Sequence, residues 1–303
     1  MASSFAARPA TFDDVAALAA LERAADVAWW GKAETEDADV RHGLEWAGDL
    51  ASRTQVLERG GDMVGFAARM GEGDAGLSVA PWLDEPARQA AYDELLGWLE
   101  AAGARELDAP RQDRARLAAL ERHGFMPVRS SFELEMRADA PLPEPRWPER
   151  VAVRPFELER DAPVLHELVY SVWADVAGHH DRPFDEWRHA FLGHEGFDPG
   201  LQVLTWRGDQ LVGAAVCRVY GDTDGWLSQL VVARDARGLG LGRALLCEAL
   251  RRLAAVPGVE LLGLSVMARN QAALGLYQSV GLRVDREFIT CERGDNSSVR
   301  ERV

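Results

Sequence analysis

The sequence contains an internal repeat, and this repeat constrains the fold more than any other feature of the chain. Each half has an extended segment ending in Arg-Pro, a Gln-Val-Leu strand followed by a Gly-Asp turn, and an apolar helix ending at a glycine. The matching positions are Arg8 and Arg154, Gln55 and Gln202, Gly61 and Gly208, and Gly124 and Gly281. Because these features recur in one order, we interpret the chain as a tandem duplication.

The repeat predicts two domains of the same construction, residues 1–138 and 150–303, joined by a linker at 139–149. Four prolines between Pro141 and Pro148 favour an extended spacer over a helix in this linker. Within each half, hairpins with tight turns combine with one β-α-β crossover. This combination predicts an α/β domain with a mixed central sheet flanked by helices. With 303 residues in all, each half is long enough to bury its own hydrophobic core.

The chain is acidic, with 49 Asp and Glu against 34 Lys and Arg and a formal net charge of −15. This charge argues against a nucleic-acid partner, because such binding depends on neutralising phosphates with Lys and Arg. It favours a cationic small molecule or peptide. No apolar stretch is long enough to cross a membrane, and the first residues lack the pattern of a signal peptide. We therefore expect a cytoplasmic protein without a membrane partner, and composition leaves its oligomeric state open.

A glycine-rich loop between an apolar strand and a helix is the most informative segment for function. The strand Leu227–Val232 runs into a loop with glycine at alternate positions, and a helix follows. One face of this helix is predicted to be buried: Leu241, Leu245, Ala249, Leu250 and Leu253. Glycines let backbone N–H groups approach phosphate oxygens, and a helix N-terminus adds about half a unit of positive charge. Arg237 and Arg243 can add charge-assisted contacts, so the loop is a candidate phosphate site.

An isolated loop of this kind has two other interpretations. It can be a close-packed turn, or it can be the phosphate-binding turn of a dinucleotide-binding domain. The dinucleotide motif needs its third glycine one position later and near the start of the domain. Here Gly242 comes too early and the loop lies late in its half, so the dinucleotide interpretation fails on spacing.

The loop instead resembles the Arg-Gly-x-Gly-x-Gly pyrophosphate motif of the GCN5-related N-acetyltransferase (GNAT) family. A second match follows, because Asn270, Tyr277 and Gly281 have the spacing of the family's Asn-x-x-Ala-x-x-x-Tyr-x-x-x-Gly-Phe helix. Together the motifs cover residues 203–288. The resemblance implies two tandem GNAT-like domains. It also implies an enzyme that moves an acetyl group from acetyl-CoA to a primary amine by direct attack, without a metal ion.

The resemblance implies roles for individual residues. Backbone groups of Leu230, Val231 and Val232 would line the pantetheine arm and polarise the thioester carbonyl. The residues expected to hold the pyrophosphate are Arg237, Gly238, Leu239, Gly240, Leu241, Gly242 and Arg243. Asn270 would contact the cofactor, and Tyr277 would face the sulfur as a hydrogen-bond donor. Reference pKa values of ~10 for tyrosine and ~8.5 for a thiol make complete proton transfer unfavourable by about 2 kcal/mol.

The acceptor side departs from the commonest pattern of the family. Many relatives carry a glutamate base in the strand before the loop, but Gly225–Gln229 contains no carboxylate. The open candidates, each more typical of a solvated turn or helix cap, are Asp181, Asp185, Glu186, Asp222 and Asp224. The segment Val172–Gly200 corresponds to the helices that cover the acceptor, and its Trp187 and Phe191 have the spacing of core positions. The run His179–Asp181 is not predicted to bind a metal, because no second cluster of ligands has suitable spacing.

The N-terminal half has lost the corresponding motif. Residues 78–90 contain no glycine, their acidic side chains would repel phosphate, and Pro86 removes an N–H donor. Leu120 replaces the tyrosine of the second motif, and Asp113 replaces the asparagine. We expect a degenerate GNAT-like domain that shapes the acceptor cleft or supports the active half.

Several activities are compatible with this sequence. The main hypothesis is acetylation of a small amine; the alternatives are acetylation of a protein N-terminus or lysine, and acyl-CoA binding without turnover. The tandem arrangement also resembles mycothiol synthases, which acetylate a cysteinyl amine. Their strand glutamate falls at Trp226 here, and a lysine on their preceding strand falls at Arg218. The sequence therefore predicts the acetyl donor and leaves the acceptor open.

Overall fold

The repeated sequence pattern becomes two units whose helices and strands follow nearly the same order, the first half having one additional four-residue α-helix among the described residues. The structure, a computed structural model, describes residues 5–70, 74–173, 182–193, 197–221 and 223–294. The first unit contains residues 5–131 together with 287–294, and the second unit is Phe132–Arg286. The units differ from the predicted halves because the final segment of the chain belongs to the first unit. The boundaries 1–138, 139–149 and 150–303 remain a prediction about the sequence repeat.

The two halves of the chain use matching helices and strands. The elements of the first half are β1 (Ala6–Arg8), α1 (Val15–Trp30), α2 (Asp37–Ala47), α3 (Leu50–Arg53), β2 (Thr54–Arg59), β3 (Asp62–Arg69), β4 (Asp74–Val79), α4 (Glu85–Ala101), β5 (Glu106–Pro110), α5 (Arg114–Arg122) and β6 (Phe125–Arg137). Those of the second half are β7 (Ala152–Arg154), α6 (Leu158–Trp173), α7 (Phe184–Leu192), β8 (Val203–Arg207), β9 (Gln210–Tyr220), β10 (Asp224–Val232), α8 (Leu241–Ala254), β11 (Leu261–Met267), α9 (Gln271–Gln278) and β12 (Arg283–Arg293).

Each unit has a mixed central sheet. In the first unit, strands β1 to β4 pair in antiparallel order, β4 and β5 are parallel, and β5 pairs with the end of β12 in antiparallel direction. In the second unit, strands β7 to β10 pair in antiparallel order, and β10 and β11 are parallel. The predicted α/β fold with a mixed sheet flanked by helices is confirmed.

The hairpin between β2 and β3 follows from its two glycines. Gly60 and Gly61 have φ of +67° and +93°. A two-residue hairpin loop with positive φ at both positions matches the right-handed twist of the strands it joins. In the second half Gly208, with φ of +60°, lies in the corresponding turn between β8 and β9. The Gly-Asp element of the sequence repeat is therefore a turn signal.

A second repeated glycine lets a helix approach the sheet closely. A Cβ at Gly65 of β3 would lie 3.0 Å from Leu95 of α4. A Cβ at Gly213 of β9 would lie 2.8 Å from Leu245 of α8. Because a side chain at either position would force the helix away from the sheet, the glycine that follows each Gly-Asp turn sets the distance between helix α4 or α8 and its strand.

Helix α8 buries the face that the sequence predicts. Leu241, Leu245, Ala249, Leu250 and Leu253 are each at most 2% exposed and lie in the core of the second unit. Residues 141–148 form neither helix nor strand, and Glu144 forms an ion pair of 2.9 Å with Arg251 of α8. None of the described helices is both long and apolar enough to span a membrane.

Candidate active site

Strand β10 contains a bulge close to the point where it parts from β11. Its register with β9 shifts between Leu227 and Gln229, so Ser228 has no partner on β9. Parallel pairing with β11 ends at Leu227, opposite Leu264. The result is a gap at the carboxyl ends of two parallel strands, the place where open α/β sheets commonly bind ligands.

Alternate backbone groups of β10 point into this gap. The N–H of Ala233 donates to the carbonyl oxygen of Val212 on β9 at 2.9 Å. Backbone polar groups alternate in direction along a strand. Those of Val231 therefore also point towards β9, and those of Leu230 and Val232 point towards the gap. Leu230, Val231 and Val232 were predicted to line the pantetheine arm through their backbone groups. The backbone groups of Val231 do not point into the gap, and its side chain is only 1% exposed.

The loop after β10 keeps its backbone open. Gly238 and Gly240 have φ of +77° and +82°, a left-handed conformation that other residues rarely adopt. A Cβ at either position would meet no atom within 4 Å. The glycines are therefore needed for backbone conformation, and they face open space. Leu239 between them is 60% exposed.

Helix α8 begins directly after Gly240, and no side chain caps its N-terminus. The N–H groups of residues 241–243 have no partner within the helix, and the helix dipole adds positive charge there. A Cβ at Gly242 would lie 3.7 Å from both Val232 and Leu276. The N-terminus of α8 therefore lies beside the end of β10 and beside α9, an arrangement that fits a pyrophosphate.

Arg237 and Arg243 flank this helix N-terminus. Arg237 Nε donates to the carbonyl oxygen of Val232 at 3.2 Å, and Arg243 Nη1 donates to Ser279 Oγ at 2.5 Å. Both side chains are exposed. A guanidinium has five N–H donors, so each residue keeps donors for a phosphate beyond these bonds.

Helix α9 carries the other two residues predicted to contact the cofactor. Asn270 is its N-cap, since Asn270 Oδ1 accepts the N–H of Ala273 at 3.2 Å. This cap uses the amide oxygen and not the amide nitrogen. Tyr277 is 8% exposed, and burial raises the pKa of its hydroxyl to about 12. Tyr277 is therefore a neutral hydrogen-bond donor at physiological pH.

Strands β9 and β10 form an aromatic surface on the side of the sheet opposite α8. A Cβ at Gly225 would lie 3.0 Å from a leucine of α8, so the next residue, Trp226, faces the other side. The indole of Trp226 lies across Gly263 of β11, where a Cβ would come within 2.3 Å of the ring. Tyr220 packs edge-on to Trp226, with ring centroids 6.3 Å apart. The guanidinium carbon of Arg218 lies 4.0 Å from the Tyr220 centroid.

The helices predicted to cover the acceptor contain an aromatic core. Trp187 is 1% exposed and is a core residue, whereas Phe191, whose ring centroid lies 5.9 Å away, is half-buried and packs against the core. His166 of α6, which sequence analysis did not single out, lies 5.3 Å from the Trp187 ring. His166 Nε2 hydrogen-bonds the carbonyl oxygen of Arg182 at 3.0 Å. The candidate acceptor residues outside the described part of the chain are His179, His180, Asp181 and Asp222.

The candidate base carboxylates that the structure describes, Asp185, Glu186 and Asp224, each have a local structural role. Asp185 and Glu186 are exposed in the first turn of α7, where acidic side chains interact favourably with the helix dipole. Asp224 opens β10 and accepts a hydrogen bond from the Thr223 hydroxyl at 3.1 Å. Within the described residues, no group of three or more His, Cys, Asp or Glu side chains could hold a metal ion.

The N-terminal half differs at the position of the glycine loop. Helix α4 begins after Asp84, whose side chain accepts the N–H of Ala87 at 2.8 Å. This carboxylate caps the helix and adds negative charge, whereas α8 begins at the uncapped Gly240. The second motif is conserved in form between the halves, because Asp113 caps α5 as Asn270 caps α9.

Comparison with known proteins places this site in a family. Residues 163–282 match the acetyltransferase (GNAT) family. A mycothiol acetyltransferase from Geodermatophilus obscurus is 32% identical over 289 residues, which span 88% of this chain and 90% of the relative. The chain belongs to the GNAT acetyltransferase family. A mycothiol acetyltransferase from Thermomonospora curvata is 33% identical over 168 residues, 55% of each protein.

Solved GNAT structures match nearly the whole chain. A GCN5-related N-acetyltransferase from Sphaerobacter thermophilus has a TM-score of 0.78 and 24% identity, covering 95% of this chain and 94% of that one. A tandem GNAT protein from the clavulanic acid biosynthesis pathway has a TM-score of 0.72 and 16% identity, covering 97% and 100%. The predicted tandem GNAT architecture is confirmed. As a GNAT enzyme, the chain is an acyltransferase that uses acetyl-CoA, as predicted.

Two polar side chains beside this candidate site were not predicted from the sequence. Ser228 Oγ and Gln229 Oε1 are shielded from solvent and have no hydrogen-bond partner among the described residues. Both residues lie at the bulge of β10. The available signal was the occurrence of two adjacent polar residues inside an otherwise apolar strand, which interrupts the alternation expected of a regular strand.

Proposed function

We propose that this enzyme acetylates the primary amine of a small molecule at one site in its C-terminal half. The observation that carries the proposal is the parting of β10 and β11 beside the uncapped N-terminus of α8. The gap offers backbone N–H groups to a thioester carbonyl, and the helix N-terminus offers N–H groups and positive charge to a pyrophosphate. The net charge of −15 supports a cationic acceptor.

In this proposal the C-terminal half supplies each contact to acetyl-CoA. Residues Arg237–Arg243 hold the pyrophosphate, and backbone groups of Leu230 and Val232 hydrogen-bond the pantetheine arm and the thioester carbonyl. Asn270 contacts the cofactor through its amide nitrogen, while its oxygen caps α9. Tyr277 donates a hydrogen bond to the sulfur as negative charge develops on it.

A cysteinyl amine is the second candidate acceptor. It is favoured by the relatives named mycothiol acetyltransferase, one of which matches 88% of this chain. The aromatic surface formed by Tyr220 and Trp226 argues for a different substrate. An aromatic surface there favours acceptors with an apolar or planar group next to the amine.

The proposal is tested with the full-length protein, acetyl-CoA and a panel of amines that includes polyamines, amino sugars, arylalkylamines, cysteinyl amines and peptides. Acetylated products are identified by mass spectrometry, because a thiol-release assay would be obscured by cysteinyl acceptors. Arg237→Ala is assayed in parallel and should raise the KM for acetyl-CoA, because Arg237 lies at the proposed pyrophosphate site.

The outcomes of this screen separate the candidates. Acetylation of a small amine with the highest kcat/KM supports the proposal, and a clear preference for cysteinyl amines supports the second candidate. Preference for peptides would replace the small-molecule acceptor with a protein. Tight binding of acetyl-CoA without acetylation of any amine would contradict the proposal and indicate an acyl-CoA-binding protein.

A further inference from the structure

Two polar oxygen atoms at the bulge of β10 lack the hydrogen bonds that buried polar atoms require. Ser228 Oγ and Gln229 Oε1 are shielded from solvent and have no partner within the described residues. An unsatisfied buried acceptor destabilises a protein by about 1–3 kcal/mol, so each such group in a native structure requires an explanation, of which a functional role is one. Both atoms lie within two residues of Leu230, whose backbone points into the gap.

The side chain of Gln229 lies on the acceptor side of the sheet. Gln229 is opposite Val216 on β9, and Leu230 is opposite Ala215. Gly213, two residues before Ala215, faces α8, and side chains alternate along a strand. Ala215 therefore faces α8, and Val216 and Gln229 face the opposite side of the sheet, the side that also carries the Trp226 indole.

The position of Gln229 on β10 suits it to contact an acceptor, for two reasons. Its neighbour Leu230 offers backbone groups to the gap where the thioester would lie, and its own amide oxygen has no protein partner on the side from which an acceptor would approach. The carboxylate of β10 itself is Asp224, five residues earlier at the start of the strand.

We propose that Gln229 Oε1 accepts a hydrogen bond from the attacking amine and thereby directs the nitrogen towards the thioester carbon. This inference rests on the proposed function. An amide oxygen binds a neutral amine without the strong preference for ammonium that a carboxylate has. The residue thus positions a nucleophile that has already lost its extra proton.

The chemical step balances without a proton transfer to Gln229. The amine nitrogen forms a bond to the carbonyl carbon, and the carbon–sulfur bond breaks. The products are an N-acetyl amine and coenzyme A. The proton released from the nitrogen neutralises the leaving thiolate. Because an amide is not basic at physiological pH, Gln229 acts only as an acceptor-binding residue.

The test uses Gln229→Leu in the full-length enzyme, with the best amine of the panel as acceptor. Loss of one hydrogen bond should lower kcat/KM for the amine about 3- to 10-fold and leave the KM for acetyl-CoA unchanged. Gln229→Glu retains an oxygen at the same distance and should restore part of the lost kcat/KM. Gln210→Leu, an exposed glutamine at the start of β9, is the matched control and should behave as wild type.

The outcomes distinguish failure of the role of Gln229 from failure of the proposed function. Equal kinetics for wild type and Gln229→Leu would overturn the role of Gln229, and so would a rise in the KM for acetyl-CoA without loss towards the amine. If Gln229→Glu were as impaired as Gln229→Leu at a pH above the pKa of the free amine, where the amine is neutral, the hydrogen bond would not be the property that matters. Absence of amine acetylation by the wild-type enzyme would instead refute the proposed function. Acetyl-CoA affinity, measured by calorimetry, shows whether each variant is folded.

Discussion

At the scale of single residues, burial determines what Tyr277 can do. Its hydroxyl pKa is raised to about 12, 3.5 units above the ~8.5 of a reference thiol. Complete proton transfer from Tyr277 to a thiolate is therefore unfavourable. A hydrogen bond to the developing thiolate requires no such transfer and matches a buried, neutral phenol.

Tyr277→Phe should therefore lower kcat more than it changes KM. The variant removes a donor that acts mainly as charge develops in the transition state, and removal of one such donor commonly costs about 100-fold or more in kcat. Steady-state kinetics with varied acetyl-CoA would measure both parameters. An unchanged kcat would remove Tyr277 from the mechanism and leave it a core aromatic residue.

A buried carboxylate in the second half makes stability depend on pH. Asp161 is fully buried. Burial raises the pKa of Asp161. Hydrogen bonds from the Arg160 guanidinium and from the Glu157 N–H lower this pKa by more than burial raises it, so the net shift is downward. A carboxyl group with a depressed folded-state pKa stabilises the protein above the unfolded-state value of ~3.9. That contribution is lost as pH falls through the folded-state pKa.

Asp161→Asn should destabilise the protein by about 1–3 kcal/mol at pH 7, with a smaller difference as pH falls below ~4. Urea unfolding of wild type and variant at a series of pH values measures this difference. Asp209→Asn, at an exposed turn residue, is the control and should change the free energy of unfolding little at any pH. A constant difference from pH 7 to pH 3 would show that packing, not charge, explains the loss.

At the scale of elements, two related helices begin in opposite ways. Helix α4 is capped by the Asp84 carboxylate at 2.8 Å from the N–H of Ala87. Helix α8 follows Gly240 and leaves its first N–H groups open. A capping carboxylate satisfies one N–H group of its own helix and adds negative charge, whereas an uncapped N-terminus favours an external anion. The two halves therefore differ in which group accepts the first N–H groups of the helix: a side chain of the protein at α4, and a proposed bound anion at α8.

Gly240→Asp should raise the KM for acetyl-CoA at least tenfold over Gly240→Ala. Both variants strain the backbone, since φ at this position is +82°. Only aspartate adds negative charge at the N-terminus of α8, so their comparison isolates the charge. Asp84→Ala should lower stability by about 1 kcal/mol through loss of a cap and leave this KM unchanged. Equal KM values for the two Gly240 variants would argue against a pyrophosphate at α8.

At the scale of the whole molecule, the duplication has produced two units with one arrangement of elements and one candidate cofactor site. The parallel pair β4–β5 ends after two residue pairs, as β10–β11 also ends early. Both sheets thus keep the gap, but only the second unit combines it with a glycine loop. Retention of the fold without the loop is expected if the first unit serves a structural role.

We expect one acetyl-CoA per chain. Isothermal titration of the full-length protein should give a stoichiometry near one, and Gly240→Asp should weaken this single binding event. Asp84→Ala should leave both the stoichiometry and the affinity unchanged. A stoichiometry of two, with one event insensitive to Gly240→Asp, would show that the first unit also binds the cofactor.

Much of the donor site could be predicted from sequence because its signals are local. Positive-φ glycines, the N-terminus of α8 and the cap at Asn270 each depend on residues within one turn of the chain. The role of Val231 and the unpartnered oxygens of Ser228 and Gln229 could not be predicted in this way. They depend on a bulge and on the direction of each backbone group. Two adjacent polar residues inside an apolar strand indicate an irregular strand, but they do not indicate in which direction its backbone groups and side chains point.

The sequence by itself therefore determined the duplication, the mixed α/β fold and the family of the enzyme, because turn glycines, helix periodicity and motif spacing are properties of neighbouring residues. Only the tertiary structure decided where β10 parts from β11, which groups line the gap, and that the end of β12 pairs with β5 in the first unit. These features depend on the register of strands far apart in the chain. Such pairing is set by the packing of whole elements and leaves no periodic trace in the sequence.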